Sequence, residues 1–252
     1  MDNGVPTPSP EPARDEPFWG WVDLATLVAT LPLCYLASLL LTRLAIMLLG
    51  ARMNDTGRAL TLQSLLYLAV FGALTLQIQL RHLRSVWPAL RLHVQGRAPA
   101  LLLFDGAWIS IAAIVVGVAL RAPQIDNPIV RLLADPLSAA ALIVYGCTLA
   151  PAAEEALFRG FLQPLVLRAT GATVGGVVAA IALTSLLFAA LHGFEYSWSW
   201  RHLAMIFLAS CGFGYTRWRT GSTGSAALVH AGYNLTFFLL YLLSKRMLPT
   251  HG

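Results

Sequence analysis

Residues 24–42 are nineteen consecutive residues without a charged side chain, and a helix of that length, rising about 1.5 Å per residue, spans the roughly 30 Å hydrocarbon layer of a bilayer. Similar windows recur at 59–80, at 98–120 with Asp105 as the one charge inside, at 136–153 and at 169–191. A shorter window of fourteen residues lies at 203–216, and the last, 220–244, runs for twenty-five residues with His230 as its one group titrating near neutrality. The chain is 57% hydrophobic and 12% charged, with a mean hydropathy of +0.67. That is too little polar surface to cover a water-soluble core of this size. No period-two alternation of the barrel kind is visible, and hydrocarbon demands that every backbone polar group be satisfied internally. The expected fold is all-α, a polytopic transmembrane helix bundle of about seven spans, six to eight.

Four regions are expected. Residues 1–17, rich in proline and acid and lacking a basic leader pattern, read as a disordered tail. Residues 18–130 read as transmembrane helices without legible chemistry, 131–246 as the helices that carry it, and 247–252 as a short tail. The net charge of +5 comes from sixteen arginines and one lysine placed at the ends of apolar runs rather than in a stripe. That pattern suits lipid headgroups and argues against nucleic acid as a partner. The basic loop at Arg81, Arg84, Arg91 and Arg97 favours a cytoplasmic position for residues 81–97. Arginine-rich, lysine-poor and alanine-rich usage points to a GC-rich bacterial genome, hence to a bacterial cytoplasmic membrane. Cys34, Cys147 and Cys211 lie far apart within apolar stretches and read as packing residues.

Chemistry is sought among the polar groups inside apolar windows, because each costs a few kcal/mol to hold in lipid and persists only with a partner or a task. In Pro151–Gly160, Glu155 and Arg159 stand at i and i+4, the spacing that pairs opposite charges on one helix face. Their pairing leaves Glu154, turned about 100° away, unpartnered within the helix and suited to act as a general base on water. The competing structural reading makes both glutamates the marks of an interfacial helix end after Pro151. His192 follows Phe188 by one turn at the end of the 169–191 window, and His230 and Asn234 share a face of the last span. Taken singly, each reads equally as an interfacial residue or as interhelical hydrogen-bonding glue. Taken together, one carboxylate, two imidazoles and a carboxamide on three spans make a hydrolytic set. Asp105 reads as an interhelical contact, Glu195 as a solvated loop acid, and His202 with Trp198 and Trp200 as part of an interfacial belt. The sequon at Asn234 to Thr236 lies within a span and is discounted.

The ordered motifs Glu-Glu-x-x-x-Arg (Glu154, Glu155, Arg159), Phe-x-x-x-His (Phe188, His192) and His-x-x-x-Asn (His230, Asn234) resemble those of the CPBP intramembrane proteases. This is the CAAX prenyl endopeptidase and bacteriocin-processing family, also called the Abi family. The resemblance covers roughly residues 136–243 and implies that Glu154 activates water, that His192, His230 and Asn234 line the site, and that Glu155, Arg159 and Phe188 support it. It leaves cofactors open between none and one divalent metal. In one version Glu154, His192 and His230 hold zinc. In the other, favoured because asparagine is a poor zinc ligand and a good oxyanion donor, Glu154 and His192 deprotonate water while His230 and Asn234 stabilise the oxyanion. There is no His-Glu-x-x-His zinc helix, and Gly221-Ser-Thr-Gly224 is only a faint echo of a serine-protease loop. The expected partners are membrane lipid and a peptide or protein substrate, lipidated or not. Prenylated CAAX tails are implied for eukaryotic relatives, and a peptide precursor or membrane-anchored regulator for a bacterial one. A non-catalytic scaffold or bacteriocin self-immunity protein of the same fold, and a transporter, are the competing functions.

Overall fold

The computed structural model describes residues 17–49, 54–125 and 127–247. The tail expected at 1–17 lies outside these residues but for Pro17, and that at 247–252 but for Met247. In chain order the elements are α1 (Trp21–Leu49), α2 (Asp55–His82), the single turn α3 (Val86–Ala89), α4 (Pro99–Ala119), the short α5 (Pro128–Leu132), α6 (Pro136–Cys147), α7 (Leu149–Glu155), a π-helical segment (Ala156–Leu162), α8 (Gln163–Thr170), α9 (Val174–Leu191), α10 (Trp200–Thr220) and α11 (Thr223–Met247). Among the described residues there is no strand, and six helical stretches are long and apolar enough to cross a membrane, with α6 to α8 counting as one, Pro136–Thr170. The protein is an all-α polytopic membrane bundle. The fourteen-residue window at 203–216 extends into α10, which is not one of the six but packs among them against α4, α9 and α11.

Local signals set the helix ends. Asn54 and Asp135 accept hydrogen bonds from the amides of Gly57 and Ser138, and Thr173 caps α9 through Gly176. Asp135 is held below its ordinary range by the backbone and hydroxyl donors of Ser138. No helix ends immediately at Pro151. The break falls at Thr148, and Pro151 occupies the first turn of α7, where no intrahelical acceptor awaits its missing N–H.

Close approach of α4 and α11 depends on glycine. A Cβ on Gly106 would stand 2.0 Å from the Val229 carbonyl oxygen, and one on Gly232 would stand 2.2 Å from that of Leu103. In lipid, where apolar side chains gain little by leaving hydrocarbon, such backbone contact supplies the packing. On the other side, α1 and α2 form a hairpin tied at one end by buried Asp23, which meets Arg81 at 3.2 Å and His82 at 3.0 Å. Leu27, Leu74 and Ile78 of this hairpin pack with Leu90, Phe161 and Leu165, so α1 and α2 bear on the π segment that follows the two glutamates.

Candidate active site

A π turn, with i→i+5 bonding, widens the helix at the end of the two-glutamate motif and leaves backbone groups that an α-helix would pair. Two carbonyls of this segment take side-chain donors from elsewhere: Phe161 O accepts from Trp19 Nε1 at 3.0 Å, and Arg159 O from Arg217 Nε at 3.1 Å. Gly160 lets Leu90 approach on the outer side.

Glu155 and Arg159 pair at 3.1 Å and are both fully buried. Arg159 also donates to the backbone carbonyl of Ser210 at 2.8 Å and to its hydroxyl. Its guanidinium lies 4.9 Å from the Phe188 ring centre and 5.6 Å from that of Phe213, so aromatic faces replace the solvent that an enclosed cation lacks. Glu155 Oε1 takes a second donor, His230 Nδ1, at 2.9 Å. A carboxylate ion-paired to arginine accepts only, so Nδ1 of His230 carries the proton; the ring is buried and off the cavity lining, with Nε2 on the Glu154 side. Nε2 lies 3.8 Å from Glu154 Oε2, and the imidazole stacks on Phe213 at 4.4 Å.

Glu154 turns away from Glu155, its side chain 15% exposed, and receives a hydrogen bond from the Tyr67 hydroxyl of α2. His192 ends α9, donates from Nδ1 to the Phe188 carbonyl at 2.9 Å, and packs on the Phe188 ring at 4.7 Å. Glu154, Phe188 and His192 line one cavity of about 390 Å3, whose far wall is built from α1 and α2. The structure therefore brings Glu154, His192, His230, Glu155, Arg159 and Phe188 into one region. Asn234 stands apart from the cavity lining. Its amide, one turn along α11 from His230, donates to the Gly146 carbonyl of α6 at 2.6 Å.

Three side chains of this region had no signal in the motifs. Tyr67, stacked parallel to Tyr145 at 6.2 Å, comes from a helix that the sequence marks only as an uncharged span. Ser210 and Phe213 come from α10, where a serine and a phenylalanine in an apolar run look like filler. Glu195, expected in solvent, is half-buried and lines the cavity beside Glu154 and His192. Burial raises its carboxyl above the ordinary range, His192 pulls it back, and Glu154 pushes it up again.

Zinc would need three donor atoms converging on one point at about 2 Å. Among the described residues no three His, Cys, Asp or Glu side chains are grouped in that way, so Glu154, His192 and His230 as placed do not form a metal-holding set.

Residues 136–236 match the family described as type II CAAX prenyl endopeptidase, Rce1-like. The match holds all three motifs and supports the family likeness they carry. No curated protein and no solved structure matches the chain significantly.

Proposed function

We propose, on the premise that residues 136–236 belong to the type II CAAX prenyl endopeptidase family, that this integral membrane protein is an intramembrane endopeptidase. It hydrolyses a peptide bond in a membrane-associated or lipid-tailed peptide or protein, in the cytoplasmic membrane of a bacterium. The observation that carries the reading is Glu154. It is a carboxylate within the Pro136–Thr170 span that is not taken up by the Glu155–Arg159 pair, opens onto an apolar-walled cavity, and lies 3.8 Å from one imidazole while sharing that cavity with another.

In this mechanism Glu154 Oε2, with His192, takes a proton from a water in the cavity, and the hydroxide attacks the scissile carbonyl. Tyr67 fixes Oε1 so that Oε2 keeps one direction. The tetrahedral oxyanion is met from α11. For His230 to donate from Nε2 it carries protons on both nitrogens, and Glu155 against Nδ1 together with the Phe213 face supports that imidazolium. Asn234, off the cavity lining, gives an amide hydrogen to Gly146 and so ties α11 to α6 one turn from His230, a positioning role. The proton held by Glu154 then passes to the leaving amine. Phe188 walls His192, and the buried Glu155–Arg159 pair keeps the His230 support in place.

The test uses detergent-purified protein and a library of fluorogenic lipid-tailed peptides, comparing wild type with Glu154→Ala, each with and without a strong chelator. Loss of cleavage in the variant at unchanged yield and monodispersity, with no effect of chelator, is the expected result. Full activity in Glu154→Ala overturns the glutamate assignment, and loss with chelator overturns the metal-free mechanism. Wild-type protein that cleaves nothing favours a scaffold or immunity role.

A further inference from the structure

Glu195 is the ionisable group of the cavity to which the proposed reaction gives no task. It lies three residues beyond His192 in the turn between α9 and α10, beside the place where the scissile bond would sit. Its Oε1 is buried and receives no hydrogen bond from any described residue. Among the described residues two acids, Glu154 and Glu195, line the cavity, and no lysine or arginine does. Arg159 is not on the lining and is spent on Glu155 and on Ser210. Most of the remaining wall is apolar, with Leu31, Leu66 and Val70 contributed by the α1–α2 hairpin.

Two carboxylates facing one space of low dielectric repel each other, and an amide N–H would satisfy an oxygen without relieving that repulsion. A cation relieves it. Resting on the endopeptidase reading, we propose that Glu195 is a specificity-determining residue that receives a lysine or arginine side chain of the substrate next to the scissile bond. The same field disfavours a substrate carboxylate at that position, so the enzyme selects a basic residue set beside an apolar segment. Electrostatic complementarity of this kind sets which partner is accepted more than it sets raw affinity.

The full chain in lipid nanodiscs is given three peptides that share one lipid tail and differ in a single residue, Lys, Gln or Glu, placed in turn at each of the positions flanking the bond. At one position the Lys peptide is expected to exceed the Glu peptide in kcat/KM by about tenfold or more, mostly through KM. Glu195→Gln reduces that ratio to about twofold, and Glu195→Lys inverts it. The same peptides with the scissile amide replaced by a ketomethylene are titrated by fluorescence anisotropy, so that recognition is read apart from cleavage. Cleavage without a charge preference, or a preference that survives in Glu195→Gln, overturns the role of Glu195 and leaves the endopeptidase standing. Charge-dependent binding that Glu195→Gln abolishes, in a protein that never cleaves, keeps the recognition role and overturns the endopeptidase. Neither binding preference nor cleavage overturns both.

Discussion

A single carboxylate oxygen, Glu155 Oε1, accepts from Arg159 at 3.1 Å and from His230 at 2.9 Å. That sharing ties a buried ion pair to the imidazole whose Nε2 faces the reacting side. A buried pair contributes little net stability, because desolvation offsets attraction, but removing one partner strands the other. Arg159→Met is therefore expected to destabilise the protein by about 3–5 kcal/mol and to lower its yield. Adding Glu155→Gln restores much of the stability, since Gln still accepts from Nδ1 and no charge is stranded. Activity is expected to stay low in the double variant, because a neutral Gln supports the His230 imidazolium poorly. Thermal melts followed by tryptophan fluorescence, beside cleavage rates, check both halves. If single and double variants melt together, the pair carries no stranded-charge penalty. The i,i+4 spacing made this contact legible in the sequence, whereas its connection to His230 is a tertiary contact that no local pattern contains.

Between helices, the His230-to-Asn234 motif does a second job. Gly232, inside the motif, lets α11 reach the α4 backbone, and a Cβ there would stand 2.2 Å from the Leu103 carbonyl oxygen. Because the obstacle is backbone, it cannot be relieved by turning a side chain, and α11 would have to move outward and carry His230 away from Glu155. Gly232→Ala is thus expected to reduce activity strongly and to lower the melting temperature. Gly72→Ala in α2, where a Cβ meets nothing within 4 Å, should be neutral or slightly stabilising, as removing helical glycine usually is. Equal melting temperatures for the two variants would show that the α4–α11 approach is not set by glycine. The π segment at Ala156–Leu162 is the element least visible beforehand. In a bilayer apolar side chains suit lipid-facing and buried positions alike, and these seven residues are buried almost all round, so their pattern carries no period to separate i→i+5 from i→i+4 bonding. Donors that meet the segment come from a distance: Trp19 and Arg217 bond the carbonyls of Phe161 and Arg159.

At the scale of the molecule, charge-free windows made the spans legible because the bilayer imposes length and apolarity on each helix separately. The site was legible only in part, since Glu154, His192 and His230 announce themselves as expensive polar groups in lipid, while Tyr67 and the apolar cavity wall look like any other membrane-helix surface. The consequence is that α1 and α2, which show no chemistry in sequence, supply half of the cavity in which the reaction is proposed. Leu66 and Val70 stand on the wall opposite Phe188 and His192, and neither touches the buried network around Arg159. Leu66→Trp fills space there without adding charge or removing a hydrogen bond. It is expected to raise KM for peptides with a long lipid tail by about tenfold, while short-tailed peptides of the same sequence keep their kcat/KM, because only the tail competes for the filled volume. Kinetics across a series of tail lengths measure this, with a melt to show that the bundle is intact. A uniform loss over all tail lengths would mean that the hairpin wall shapes the catalytic residues rather than the space for the tail. An unchanged series would place the tail outside this cavity, on the lipid-facing side of α9.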